Sequence, residues 1–270
     1  MQLCLVRYRI PYYNASVVLL IEHRRYKSPR ELNLAEIVDI LHTQQNDVAF
    51  EIMPFDERMQ YIIDYVYQLK QDARIKRLTR AARFRYQNAD IHSVHYENRG
   101  IDRSLLMQLG SCAFLKRQHN VAFSGPTGAG KTWLACAIGK QACRNGYRTK
   151  YYRMPELLEE FLLQESRVGG RRKLVKNLKR YDLLIIDEWM SSALDDSQVS
   201  FIFEVIESRY QEGSTIFCTQ FAPNEWLDRL GGGPQADAIT DRIVHSTIFF
   251  ESGELNMRET MSTVRSQEFA

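Results

Sequence analysis

The sequence has no apolar run long enough to cross a bilayer. Its longest strongly apolar stretch near the start, Ser16 to Ile21, falls far short of the ~18–20 residues a membrane-spanning helix needs. Arg7, Arg9 and Pro11 interrupt what would have to be the apolar core of a signal peptide. The expected location is therefore the cytoplasm, with no membrane partner. No two cysteines form a CxxC pair, and the five present (Cys4, Cys112, Cys136, Cys143, Cys218) are odd in number. That pattern argues against a disulfide framework and against a zinc site. Glycine (14) and proline (7) are too sparse for a collagen-like chain, and 44% hydrophobic residues are too many for a disordered one. There is no internal repeat and no low-complexity segment. What remains is a chain of 270 residues with room for one large domain, or a large one and a small one, around a self-sufficient core.

The net charge is only +3, but it is unevenly placed. Lys70 to Arg85 carries seven basic residues against Asp72, and Glu165 to Asp182 carries seven against Glu165 and Asp182. The rest of the chain is acidic. Two concentrated basic stretches in an otherwise acidic protein suggest a polyanion partner; a solvated helix face and a charged loop are the plainer alternative.

The first ~27 residues fit poorly with the remainder of the chain and are read as an extension. From Leu32 the spacing of Leu34, Ile37, Val38 and Leu41 predicts a helix, with Asn33 as its cap and Glu36 completing a capping box. A second helix is expected after Pro54, capped by Asp56, with Met59, Ile62, Ile63, Val66 and Leu69 on one face, running to about Phe84. On its basic end Lys76, Arg80 and Arg83 are expected to share one side, with Arg74 and Arg77 on an adjoining stripe. After Asn120 the pattern alternates. Strands are predicted at 120–124, 148–153, 182–187, 214–219 and 247–251, with helices at 132–144, 155–164 and 197–211 between them. Such alternation implies an α/β fold with a parallel sheet covered on both faces.

Gly125-Pro126-Thr127-Gly128-Ala129-Gly130-Lys131-Thr132 matches GxxxxGK[ST] in full, between a predicted strand and a predicted helix. The glycines let backbone N–H groups turn inward onto phosphate oxygens, and the helix adds its positive end. Lys131 would reach the β- and γ-phosphates of ATP, and the Thr132 hydroxyl would ligate Mg²⁺. Leu183 to Glu188 is an apolar strand ending in two carboxylates. Asp187 suits Mg²⁺, and Glu188 suits a base that polarises attacking water. Gln220, ending the fourth strand, suits a contact to the γ-phosphate or the water. Arg242 lies on a helix before the last strand, where it would point away from its own nucleotide and toward a neighbour's; a salt bridge to Asp241 or Glu251 is the alternative, and Arg209 is a second candidate for the neighbour-directed role. Cys136 and Cys143 are expected to face the core, and Trp133 to serve packing. His92 and His95 lack further ligands for a metal. The segment Ile91 to Ile101 is the one in which to look for the adenine contacts.

GPTGAGKTWLACAIG (125–139), YDLLIIDEW (181–189), STIFCTQ (214–220) and ADAITDRIVH (236–245) resemble the IstB-like transposition ATPases, AAA+ proteins related to the DnaC-type helicase loaders. RGIDRSLLMQL (99–109) and the basic helix RIKRLTRAARF (74–84) extend the resemblance. It implies an AAA+ P-loop NTPase with a five-stranded parallel sheet, a small N-terminal helical domain and ATP-dependent assembly on double-stranded DNA. It further implies a partner transposase, or a replicative helicase in a loader, and a homo-oligomer completed by Arg242 in trans; a nucleotide-switched adaptor with little hydrolysis is a third reading. The expected division is an extension over 1–30, a helical DNA-binding and assembly domain over 31–90, an ATPase domain over 91–258 and a tail over 259–270. DNA contacts are expected from Arg74, Lys76, Arg77, Arg80, Arg83, Arg171, Arg172 and Lys173. Asp187-Glu188 departs from the paired aspartates of many relatives. Since about 19 residues follow Glu251, room for one or two short helices at ~1.5 Å per residue, the AAA+ lid is expected to be absent or vestigial.

Overall fold

The computed structural model describes residues 35–97, 99–253 and 255–257. The expectations for residues 1–30, for the Asn33 cap and for a reduced lid lie outside the described residues. The chain divides into two compact units, one through Arg74 and one from Ile75 onward. The division falls inside a helix and upstream of residue 90, because Ala82, Phe84, Ala89 and Ile91 are core residues of the second unit.

In the first unit, helix α1 (Ala35–Asn46) is followed by a 3₁₀ turn at Val48–Phe50 and by helix α2 (Phe55–Ala82), which runs on into the second unit. The 3₁₀ turn is capped by Asp47, whose side chain accepts from Ala49 N–H at 3.0 Å. Ile40, Leu41 and Ile62 form the small core, with Ile37 and Val66 against it. The apolar face of α2 is narrower than its sequence suggests. Met59, Ile63 and Leu69 are exposed, since only the stripe through Ile62 and Val66 is turned onto α1. Asp56 sits inside the first turn, where it favours the helix dipole, and is not the cap. The helix also stops at Ala82, short of Phe84. Arg83 adopts a left-handed backbone conformation (φ +57°) and leaves the helix face on which its spacing would put it.

The second unit is an α/β layer structure. Strands β1 (Asn120–Ser124), β2 (Thr149–Arg153), β3 (Leu183–Asp187), β4 (Ser214–Cys218) and β5 (Thr247–Glu251) form one parallel sheet in the order β2-β3-β4-β1-β5. Along the central strands both alternating sets are apolar. Val121, Phe123, Leu183, Ile185 and Ile216 enter one core, while Ala122, Leu184, Ile186 and Phe217 enter the other. A sheet buried on both faces requires that pattern. Helices α3 (Arg103–Gly110), α4 (Ala113–Lys116) and α5 (Lys131–Arg144) belong to the first layer; Cys136 and Cys143 of α5 are fully buried in it. Burial pushes the Cys136 thiol up to about 11.

The opposite layer holds α6 (Met154–Glu165), α7 (Gly170–Lys179), α8 (Asp196–Arg209), α9 (Pro223–Arg229) and α10 (Gly233–Val244). The second basic stretch is thus largely helix α7. Leu174 and Leu178 are buried, and Arg172, Lys173 and Lys176 remain on the open side.

Gly139 marks the tightest approach of α5 to the sheet. A Cβ there would lie 2.5 Å from Phe84 Cε1 and 2.8 Å from Ile185 Cδ1. Gly139→Val is therefore expected to destabilise the second unit by about 1–3 kcal/mol through overpacking. Urea unfolding followed by circular dichroism measures this; an unchanged midpoint would show that the close approach is not needed.

Candidate nucleotide site

The phosphate-loop sequence forms the turn from β1 into α5. Gly130 precedes the helix with φ +85°, and a Cβ there would meet Arg99 Nη2 at 3.0 Å; Gly128 has φ +90°. Both positions favour glycine because L side chains strain that conformation. Lys131 Nζ donates to the carbonyls of Gly125 (2.6 Å) and Pro126 (2.8 Å), so its ammonium lies within the curl of the loop. Across the loop Thr127 Oγ1 donates to Gln220 Oε1 at 3.1 Å. That hydrogen bond brings Gln220 to the loop; the strand itself stops at Cys218, so Gln220 lies just beyond its end.

Asp187 ends β3 and is 2% exposed. Its Oδ2 accepts from Thr132 Oγ1 at 2.8 Å and from Tyr151 OH at 2.7 Å, and its Oδ1 accepts from Glu188 N–H at 2.9 Å. Burial and the neighbouring carboxylate push the Tyr151 hydroxyl well up, so it stays a donor. A hydroxyl and a carboxylate together at the mouth of a phosphate loop are hard oxygen ligands of the kind Mg²⁺ takes alongside nucleotide phosphates.

Glu188 follows with φ +58°, a conformation that costs a non-glycine residue about 1–3 kcal/mol. It is held there because Trp189 and Met190 are buried on its far side and Trp189 N–H donates to Cys218 O at 2.8 Å. Both carboxylate oxygens are engaged. Arg153, at the end of β2, donates from Nε to Oε1 (3.0 Å) and from Nη2 to Oε2 (2.9 Å), and Arg85 adds a longer contact at 3.4 Å. The sequence alone singles out neither arginine for this site. The signal that could have found Arg153 is its place at the end of the strand paired with β3, opposite Asp187.

Lys131, Thr132, Asp187, Glu188, Gln220 and Arg85 line a cavity of about 780 Å³. Tyr86 and Trp133, with ring centroids 5.7 Å apart, line it with Val94. Trp133 therefore packs and faces the cavity at once, and the segment 91–101 contributes Ser93, Val94, His95 and Arg99. Arg99 lies in the segment that the sequence marks, but nothing in the sequence singles it out. It is 5% exposed and donates to three carbonyls, those of Ala129, Ser252 (3.1 Å) and His95 (3.1 Å). The chain beyond β5 also returns to the loop, where Met257 N–H donates to Gly128 O at 3.0 Å.

The two candidate trans arginines differ sharply. Arg209 is 2% exposed and donates to the carbonyls of Leu178, Tyr181 and Ser214 and to Thr215 Oγ1; burial pulls its pKa down to about 10. It is a strut between α8, α7 and β4, unavailable to a neighbour. Arg242 does not line the cavity. It pairs with Glu207 instead of Asp241 or Glu251, and lies over Phe203 and near Tyr210. In the basic stretches, Lys76, Arg77, Arg80, Arg83, Arg172 and Lys173 are exposed, as is Arg74. Arg171 is engaged with Glu165, Ser200 and Glu204 and stacks on Phe161, so it anchors α7.

Residues 28–263 match the IstB-like ATP binding protein family. The chain belongs to that family. Among its relatives, a Pseudomonas fluorescens protein named as an insertion sequence IS1162 putative ATP-binding protein is 34% identical over 191 residues, 70% of this chain and 82% of that one. A Sinorhizobium fredii protein named as a putative insertion sequence ATP-binding protein, y4uH, is 28% identical over 239 residues, covering 88% and 96% of the two chains. The solved structure of the DnaC helicase loader is similar with 23% identity and a TM-score of 0.54, over 62% of this chain and 98% of that one. AMPPCP-bound DnaA from Aquifex aeolicus is similar with 17% identity and a TM-score of 0.55, over 68% and 56%. At those identities the likeness is one of fold.

Arg99 buries a positive charge directly against the loop of an ATP-binding family. Arg99→Met keeps much of the length of the side chain and removes its donors. ATP affinity, measured with a fluorescent analogue, is expected to fall about 10- to 100-fold, the worth of a charged hydrogen bond. Unchanged affinity would reduce Arg99 to a purely structural link.

Proposed function

We propose that this protein is a Mg²⁺-dependent ATPase that assembles on double-stranded DNA and recruits or stimulates a partner transposase in the cytoplasm. The observation that carries the reading is the junction of Thr132, Asp187 and Glu188 beside the phosphate loop, in a family whose relatives are named for insertion sequences. Those names favour a transposase over a helicase as partner. Among the described residues no helix is long and apolar enough to cross a membrane.

In this reading the loop N–H groups from Gly125 to Thr132 and the start of α5 hold the phosphates, and Lys131 exchanges its carbonyl partners for phosphate oxygens. Thr132 and Asp187 hold Mg²⁺, which when bound offsets phosphate charge. Glu188 orients the attacking water and takes its proton, and Gln220 contacts the γ-phosphate or that water. Because Arg153 and Arg85 occupy Glu188, turnover in the free protein is low until DNA or a partner alters that pairing. Arg242, released from Glu207, enters a neighbouring subunit's site and makes activity depend on assembly. Arg74, Lys76, Arg77, Arg80, Arg83, Arg172 and Lys173 contact DNA phosphates without reading bases.

Two experiments test this. Lys131→Ala is expected to lose ATP binding, whereas Glu188→Gln is expected to bind ATP and turn it over about 10²-fold or more slowly. Wild-type turnover by Glu188→Gln would move the base elsewhere. Arg242→Ala and Lys131→Ala are each expected to be nearly inactive alone but to recover hydrolysis when mixed, at interfaces pairing an intact loop with an intact arginine. Absence of recovery with assembly confirmed would place catalysis within one subunit.

A further inference from the structure

A second, smaller cavity of about 360 Å³ lies along β2 and shares Arg85 with the nucleotide site. Four cations, Arg83, Arg85, Lys150 and Arg153, line it, with Glu156 as the carboxylate among them. Arg85 and Arg153 are committed to Glu188, and Arg153 also reaches Glu156 at 3.5 Å. The side chains of Arg83 and Lys150 have no hydrogen bond or ion pair among the described residues. Lys150 is nonetheless 8% exposed, with its ammonium 5.0 Å from the centre of the Tyr152 ring. Burial and the like charge of Arg83 pull its pKa down; Glu160, bound by the Tyr152 hydroxyl, partly offsets them.

Two cations brought together in one recess without a hydrogen-bonding anion between them repel each other, which is costly. The backbone at Arg83 adds to this, since φ +57° is a strained conformation for arginine. That turn directs the residue to the cavity instead of continuing the helix. The exposed cations Lys76, Arg77 and Arg80 precede Arg83 on the same segment, so the basic end of α2 leads to the cavity. A guanidinium and an ammonium converging in a small recess suit a tetrahedral oxyanion.

We propose that this cavity is a second anion site, separate from the phosphate loop, which receives one phosphate group of a DNA backbone. The proposal rests on the DNA-binding reading above and extends it to Lys150, a residue outside both basic stretches.

The test is fluorescence anisotropy of the full chain with a labelled duplex across a salt series. Lys150→Gln, with Arg83 kept, is expected to flatten the slope of log affinity against log salt by about 1, at ~0.9 for each phosphate the protein ceases to neutralise. Lys150→Arg is expected to keep the wild-type slope, which a merely misfolded variant would not allow. Neutralising Lys76, Arg77 and Arg80 provides the control. If that variant has a flatter slope while the cavity variant keeps the wild-type one, the DNA reading stands and this inference falls. If wild type shows no salt-dependent DNA binding, the DNA reading itself falls. Inorganic phosphate is then titrated into Lys131→Ala, whose phosphate loop is disabled. Thermal stabilisation that disappears with Lys150→Gln would retain the anion site with free phosphate as its source, and no stabilisation would remove it. Competition by an acidic peptide, without competition by DNA, would contradict the proposal in favour of a protein partner.

Discussion

The buried carboxylate of Asp187 is the group on which the arrangement of the site depends. It ties the start of the phosphate-loop helix, through Thr132, to the edge strand, through Tyr151, and its other oxygen fixes the backbone of Glu188. None of these partners is near it in sequence except Glu188. A carboxylate this deeply buried is tolerated because three donors satisfy it. The sheet brings them together: parallel register sets Arg153 beside Asp187, and β4 pairs with β3 so that Gln220 emerges at the same edge. Ligand sites at the carboxyl ends of parallel strands arise from this geometry.

The neighbouring Glu188 is placed by opposite means. Asp187 is buried and satisfied by neutral donors, whereas Glu188 is partly exposed and paired with two arginines. Surface pairs of this kind contribute little to stability, typically up to about 1 kcal/mol, because solvent screens them. Holding the residue at φ +58° costs at least as much. The buried flanks Trp189 and Met190 therefore secure the turn, and the arginines set which way the carboxylate faces. A weak pairing of this kind can be exchanged without disturbing the fold, which suits the proposed change on binding DNA or a partner.

The strands and the loop are legible in the sequence because their signals are local. Asn120–Ser124 and Thr247–Glu251 are short, largely apolar segments flanked by turns, and the structure gives them the expected bounds. The loop motif is a single eight-residue turn. The features that sequence cannot show depend on residues distant along the chain. The face of α2 is narrower than its pattern because Ile63 and Leu69 have the right spacing but remain uncovered. Arg83 has helical spacing, and nothing in its sequence marks the left-handed turn. Helix α7 is hidden by its charge: only Leu174, Val175 and Leu178 are apolar among its open-facing basic residues. Arg99, Arg153 and Glu207 gain their roles from partners about 30 or more residues away.

The central claim, an ATPase gated by assembly on DNA, is tested most directly by steady-state ATP turnover of the full chain with and without duplex DNA, alongside the mass of the complex. The account predicts slow turnover by the free protein and a rise with DNA that parallels the formation of larger assemblies. Stoichiometric ATP binding without turnover in either condition, or full turnover by a monomer without DNA, would contradict it.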